Sequence, residues 1–276
     1  MKAFHGSHHF VASASLTEPN MHVSRKDGPL DRFKYSTISH QGLRYCNPFP
    51  ATKVEHIIEL LDLSGESHVL DIGTGKAELP IRLIERYDVE AVGVDVSSPF
   101  LQEAREQAAL RVPSKRLTLL EENATAFDGV PETFDLASCL GACHIFGGFR
   151  GTLNQLSQLV RPGGYLLIGD GYWKQEPNSA FLQALQTTPD ELMTHADTVG
   201  TGAALGLIPL YAAVCNDDEW DRYEWLHLRN IERYARQMPD DPDVPALQER
   251  IRSWRDVYLR WGRETLGFGL YLFQKE

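Results

Sequence analysis

Two carboxylates bracket a short glycine loop in the run Asp71-Ile72-Gly73-Thr74-Gly75-Lys76-Ala77-Glu78, and a third, Asp95, follows Gly75 by 20 residues at the end of an apolar stretch. Glycine at 73 and 75 lets a backbone turn sharply and approach a ligand without interference from a Cβ. A dinucleotide fingerprint would want Gly or Ala where Glu78 stands, because Glu78 sets a carboxylate beside the pyrophosphate. A phosphate-binding P-loop would need Gly at the position of Leu70 and Ser or Thr at Ala77. Both nucleotide classes are disfavoured on these grounds. Acidic groups on either side of the loop, Asp71 and Glu78, suit a ligand carrying positive charge instead.

S-adenosylmethionine, with its ammonium and sulfonium centres, is such a ligand. Asp95 stands where a carboxylate can accept both hydroxyls of a ribose. The plainer reading of Asp95-Val96-Ser97-Ser98 is a helix N-terminus capped by Ser97 or Ser98. Both readings can hold, since ribose binding and capping use different residues.

The elements that must carry these residues follow from periodicity. Val54, Ile57, Ile58 and Leu61 have helical spacing, and Ser64-Gly65 stops that helix before a strand over 68–72. Helices over 78–87, 99–110 and 151–160 then alternate with strands over 91–94, 117–120, 134–139 and 165–168. Strands separated by helices of this length imply right-handed crossovers and a mostly parallel, doubly wound α/β sheet. Ligands of such sheets lie beyond the C-terminal strand ends, so the loops opening at Asp71, Asp95, Asn123, Leu140 and Asp170 share one edge. Two further strands, over 207–215 and 268–273, bring the sheet to seven. Between them the chain has room for two helices, the second with Leu247, Ile251, Trp254, Tyr258 and Trp261 along one face, and Pro239, Pro242 and Pro245 mark the turn that joins them. The expected organisation is an N-terminal arm over 1–45, a Rossmann-like core over 46–216 and 267–276, and a helical cap inserted over 217–266.

Composition narrows the partners. With 27 Lys+Arg against 38 Asp+Glu the net charge is -11, which disfavours a polyanionic nucleic acid. No stretch approaches the ~20 apolar residues of a membrane span and the N-terminus lacks a signal-peptide core, so a cytoplasmic protein is expected. Cys46, Cys139, Cys143 and Cys215 show no paired metal-ligand spacing and read as reduced thiols. His5, His8 and His9 read as a solvated tail, and no metal is expected.

Taken in order, these residues resemble the class I S-adenosylmethionine-dependent methyltransferases over roughly residues 46 to 216 plus the terminal strand. The resemblance rests on the Asp71–Glu78 loop, Asp95, the pair Asn123-Ala124, the run Cys139-Leu140-Gly141, and Leu159-Val160-Arg161-Pro162-Gly163-Gly164. More narrowly, Asn47-Pro48-Phe49, Gly169-Asp170-Gly171-Tyr172-Trp173-Lys174-Gln175 and Glu219-Trp220-Asp221-Arg222-Tyr223-Glu224 are similar to uncharacterised bacterial members. The resemblance implies that Gly73 and Gly75 approach the methionine part of S-adenosylmethionine, Asp95 holds the ribose and Val96 packs on adenine. It further implies that Asn123 and Ala124 meet the adenine edge and Leu140 lines the cofactor wall. Ala77 departs from the family's third glycine, and Asn123 from its more frequent Asp; a small side chain and an amide carbonyl are both compatible with binding.

A methyl group on a sulfonium is already activated, so the protein must chiefly align an acceptor and exclude water. A base is needed only for an acceptor that arrives protonated. His144, Asp170 and Tyr172 stand on the proper edge for that role, although His144 could equally bond a loop carbonyl. Cys139 and Cys143 with Cys46 could hold a soft metalloid acceptor, or be ordinary buried thiols. Trp173, Trp220 and Tyr223 either roof an acceptor pocket or hold the cap to the sheet. The expected activity is methyl transfer to a small-molecule acceptor, with a regulatory protein that binds the cofactor without turnover as the alternative. A nucleic-acid methyltransferase would by resemblance show Asn or Asp followed by Pro-Pro and an aromatic after the fourth strand, where this chain has Leu140-Gly141-Ala142-Cys143. Lipid cyclopropanation would call for a membrane-facing surface that the sequence does not display.

Overall fold

A computed structural model describes the chain from Arg32 to Glu276 and a two-stranded pair at Ser24–Arg25 and Gly28–Pro29. The histidines at 5, 8 and 9 lie outside the described residues. Seven strands form one sheet: β1 (His68–Ile72), β2 (Glu90–Asp95), β3 (Leu117–Glu121), β4 (Phe134–Leu140), β5 (Val160–Trp173), β6 (Leu207–Val214) and β7 (Leu266–Lys275). Their spatial order is β3-β2-β1-β4-β5-β7-β6, with β7 antiparallel to both neighbours and the pairs β1–β2, β1–β4, β2–β3 and β4–β5 parallel. The order reverses at β1, which places a ligand crevice at the ends of β1 and β4.

β1 and β4 read as near-continuous apolar runs because helices cover both faces of the sheet. Leu70 and Ile72 face one core, with Leu153 and Leu156 of α5 (Phe149–Leu159). Val69 faces the other, with residues of α2 (Ala51–Ile58) and α3 (Glu78–Tyr87). Between β2 and β3 runs α4 (Ser98–Arg111). β5 begins five residues before the expected Tyr165, since Val160 already pairs with Phe134 and the register then shifts, looping Pro162-Gly163-Gly164 out of the ladder. Its far end extends to Trp173 because β7 continues beside it, Trp173 pairing with Leu266, after β4 has stopped. Two helices not anticipated from periodicity, α6 (Ser179–Leu185) and α7 (His195–Ala204), fill the β5–β6 connection.

The insertion before the last strand is helical, as expected: α8 (Asp217–Gln237) and α9 (Val244–Val257), with Pro245 in the first turn of α9. Asn216 and Glu219 close a reciprocal capping box at the start of α8. Beyond α9 the Trp254, Tyr258, Trp261 stripe continues through a π-helical turn over Tyr258–Gly262. Inside the cap, buried Glu224 accepts from the indoles of Trp220 (2.8 Å) and Trp254 (2.7 Å). Trp173, Trp220 and Tyr223 are all buried, and Trp220 packs on Phe268 of β7, joining cap to sheet. Before α2, the N-terminal arm tightens into a helix from Arg32 onward. Helix α1 (Arg32–Ser39) docks on α8, Lys34 pairing with Asp241 and Asp243 beyond its end.

Candidate active site

The strand registers bring the expected loops to one edge: Ile72 lies beside Val94 and Cys139, Asp95 beside Glu121, and Leu140 beside Gly169. After β1 the chain hooks over β2, where the amides of Gly73 and Thr74 both donate to the Val94 carbonyl (2.9 and 3.1 Å). This turn needs φ of +66° at Gly73 and +54° at Gly75. A Cβ on Gly73 would lie 2.5 Å from that of Ala142, so the loop after β4 is seated directly against it. Ala77 takes φ +55° despite its side chain, at the position where the family carries glycine.

The carboxylates divide the work. Asp71 is buried beneath the loop and braces it, accepting from Thr74 Oγ1 (2.7 Å) and Ser138 Oγ (2.6 Å). Burial pushes its carboxyl up to about 6 against the pull of those two hydroxyls, and the charge of Asp95 adds to the rise. Asp95 is half-buried at the end of β2 and accepts from the amides of Gly75 and Ser97, each at 2.8 Å. No serine hydroxyl caps α4, whose N-cap residue Ser97 has an unpartnered Oγ and gives its amide to Asp95. Beside it Val96 is 43% exposed, an apolar side chain presented at the sheet edge.

Glu78 is engaged by arginines. Its buried carboxylate accepts from Arg82 Nε (2.7 Å) and Arg111 Nη1 (2.6 Å), with Arg44 at 3.5 Å. Glu78 and Arg82 share a helix face at i, i+4, a spacing visible in the sequence. Asn123 also has local partners, its side-chain oxygen accepting from the amide and hydroxyl of Thr125 (3.0 Å each), which caps the turn containing buried Ala124. Leu140, half-buried, ends β4.

Across the edge, Asp170 accepts from the Gly171 amide (2.9 Å). Burial pushes its carboxyl up to about 7; the Gly171 amide and the Cys143 thiol pull it down, while Glu191 pushes it further up. Tyr172, in contrast, is packed away: its ring lies against Gly267 of β7 and 5.4 Å from the ring of His195 on α7, and burial raises its phenol. His144 sits half-buried in the short turn Cys143–Phe146 that follows β4. Cys139, Cys143 and Cys215 are buried free thiols, and Cys46 is half-buried against the glycine loop. Among the described residues no group of three or more His, Cys, Asp or Glu could hold a metal, and no helix is long and apolar enough to cross a membrane.

Sequence reasoning missed the segment between α1 and α2. It lies over the glycine loop, with Cys46 Sγ 3.6 Å from where a Cβ on Gly75 would be. Lys76, inside the loop, turns inward to this segment and is only 5% exposed. The glycine turn, the accepting carboxylate of Asp95 and the exposed Val96 share one sheet edge, a set whose chemistry fits S-adenosylmethionine.

Comparison with known proteins agrees with this arrangement. The family described as a methyltransferase domain matches residues 69–164, from β1 to the loop before the regular part of β5. The uncharacterized protein YjhP of Escherichia coli K12 is 30% identical over 240 residues, 85% of this chain and 95% of that one. A SAM-dependent methyltransferase of Geobacter sulfurreducens, solved in complex with S-adenosyl-L-homocysteine, superposes with a TM-score of 0.82 at 26% identity, covering 90% of this chain and 99% of that one. The 27-O-demethylrifamycin SV methyltransferase of Amycolatopsis mediterranei is 26% identical over 116 residues, 42% of this chain and 43% of that one. Because the family match spans the glycine loop and the strand ends and YjhP is 30% identical over 85% of the chain, the chain belongs to the class I S-adenosylmethionine-dependent methyltransferases, beside the uncharacterised YjhP-like bacterial proteins, and its cofactor is S-adenosylmethionine.

Proposed function

We propose that the protein methylates a small organic molecule bound beyond the C-terminal ends of β4 and β5. The observation that carries this reading is the cover over the cofactor loop: Cys46 is seated on Gly75, and Tyr223 of α8 donates to the Cys46 carbonyl (3.3 Å). An acceptor that must fit under such a cover is small, and a net charge of -11 argues against a nucleic acid. Likeness to an enzyme named for a demethylrifamycin substrate supports a small-molecule acceptor over part of the chain.

In this reading Gly73 and Gly75 cradle the methionine part, Asp95 holds the ribose, Val96 and Ala124 bound the adenine, and Leu140 forms the wall. Asp71 and Glu78 act from below, the first bracing the loop and the second fixing α3 to α4. Asn123 serves the adenine edge chiefly by shaping the turn at Ala124. The bound cofactor supplies an activated methyl group, and the chain's own task is to align the acceptor and keep water out. Asp170 is the proposed base, since a carboxyl near 7 can take a proton from the acceptor at neutral pH. His144, on the adjoining turn, is the second candidate, and Tyr172 is assigned to packing.

The test is a panel of small hydroxyl, amine and thiol compounds, with release of S-adenosylhomocysteine from S-adenosylmethionine as the readout, run for wild type and Asp170→Asn. Turnover with a small acceptor that falls at least tenfold in the variant supports the proposal. Methylation of DNA or RNA with no turnover on small molecules would overturn it.

A further inference from the structure

Residues 40–46, beyond the end of α1 at Ser39, form no regular helix or strand, and their partly exposed backbone lacks the donors that such an element would give its carbonyls. Here three buried side chains from two other parts of the fold supply them. Asn230 Nδ2 of α8 donates to the carbonyls of Ser39 and Gln41, each at 2.8 Å. Tyr223 OH, also of α8, donates to that of Cys46 at 3.3 Å and lies 2.9 Å from His40 Nε2. From the opposite side, Lys76 Nζ of the glycine loop donates to the His40 carbonyl at 3.0 Å and to Glu103 of α4 at 2.9 Å. Asn230 and Tyr223 are each 2% exposed.

A lysine in a glycine loop at a sheet edge could point into water at no cost, whereas burying its ammonium carries a desolvation penalty. Neither core cluster needs it. What the inward arrangement achieves is a continuous polar connection from the cap, through the strap over 40–46, to the loop that cradles the cofactor. We infer that Lys76 is a positioning residue that clamps this strap over the cofactor loop, and that Asn230 and Tyr223 hold the strap's other side, so that the cap sets cofactor affinity. This rests on the assignment of Gly73 and Gly75 to the methionine part of the cofactor.

Cys46 reports on the strap, because it is the one cysteine of the four that is not buried. The experiment combines calorimetric titration with S-adenosylhomocysteine, the ligand-free thermal midpoint, and the rate of Cys46 alkylation by iodoacetamide read by peptide mass spectrometry. Bound S-adenosylhomocysteine should slow alkylation of wild type at least tenfold. Lys76→Met, which keeps an unbranched apolar stem but removes the donor and the cation 5.7 Å from the Phe100 ring centre, should weaken binding about tenfold or more and speed ligand-free alkylation severalfold. Lys76→Arg, retaining a donor, should recover most of the affinity. Asn230→Ala, on the cap and away from the glycine loop, should change both readouts in the same direction, and serves alone if Lys76→Met does not fold. If the variants only lower the thermal midpoint, with affinity and alkylation within twofold of wild type, the side chains are merely structural and the inference is wrong. Failure of wild type itself to bind would instead overturn the placement of the cofactor on this loop.

Discussion

Replacing Asp95 gives the sharpest test of the cofactor site, because its carboxylate has two duties that the measurement can separate. Each oxygen already accepts one backbone amide, from Gly75 and from Ser97, at 2.8 Å. A carboxylate oxygen has capacity for a second donor, so both ribose hydroxyls can be accommodated without breaking either contact. Hydrogen bonds to a charged acceptor contribute roughly 1.5–3 kcal/mol each. Asp95→Ala removes two from the bound state, a loss of about 3 kcal/mol at the low end, which corresponds to about a hundredfold in Kd. Asp95→Asn keeps one accepting oxygen but turns an NH2 toward an amide that also donates, so roughly 2 kcal/mol, or about thirtyfold, is expected. The assay is calorimetric titration with S-adenosylhomocysteine at fixed salt, alongside thermal melts without ligand. If Asp95 is only a cap for α4 and a brace for Gly75, the melts will fall while affinity stays near that of wild type. An Asp95→Ala protein that binds within threefold of wild type refutes the ribose assignment.

Stability should depend on pH through Asp170. Its carboxyl rises from 3.8 to about 7 on folding, so the folded state holds this proton more tightly, and the contribution is complete below about pH 4 and is lost as pH climbs through about 7. Urea unfolding of the ligand-free protein should therefore show stability falling between pH 5 and 8, with Asp71 adding to the same trend, and Asp170→Asn should flatten the fall by about 1–2 kcal/mol; an unchanged slope in the variant excludes Asp170 as the source. Gly73→Ala places a Cβ 2.5 Å from that of Ala142, whereas the nearest atom to one on Gly75 is Cys46 Sγ at 3.6 Å. Gly73→Ala should thus lower the thermal midpoint at least twice as far as Gly75→Ala, in which only the left-handed φ is penalised, by about 1 kcal/mol; equal shifts would contradict the close seating of the two loops. Glu224→Gln turns a donor toward one of two indole N–H groups and should cost about 2 kcal/mol in denaturant unfolding, a change below ~0.5 kcal/mol meaning that the indoles find other acceptors.

What the chain reveals of itself before folding depends on how far apart the interacting residues are. The parallel half of the sheet is legible because each strand is a short apolar run and each crossover a helix, both properties of neighbouring residues. The early start of β5 is hidden, since Pro162-Gly163-Gly164 has the composition of a turn and only the pairing of Val160 with Phe134 makes it a bulge inside a strand. The placement of Asp95 beside Gly75 at the end of β2 is legible through its distance from the glycine loop. The partner of Glu78 at i, i+4, Arg82, is legible, whereas Arg111, 33 residues away, is not. Asp170 and Tyr172 share a strand face by alternation, yet only the antiparallel neighbour decides that one carboxyl stays at the edge while the ring is packed over Gly267. The strap is the least legible part, because its carbonyls meet side chains 36 to 191 residues away and a backbone acceptor leaves no mark in the sequence. The only local sign is Lys76, a long cation in a loop otherwise built of small residues. A buried charge among glycines is therefore a reason to look for a second layer over the loop, and it is there that the control of cofactor binding should be sought.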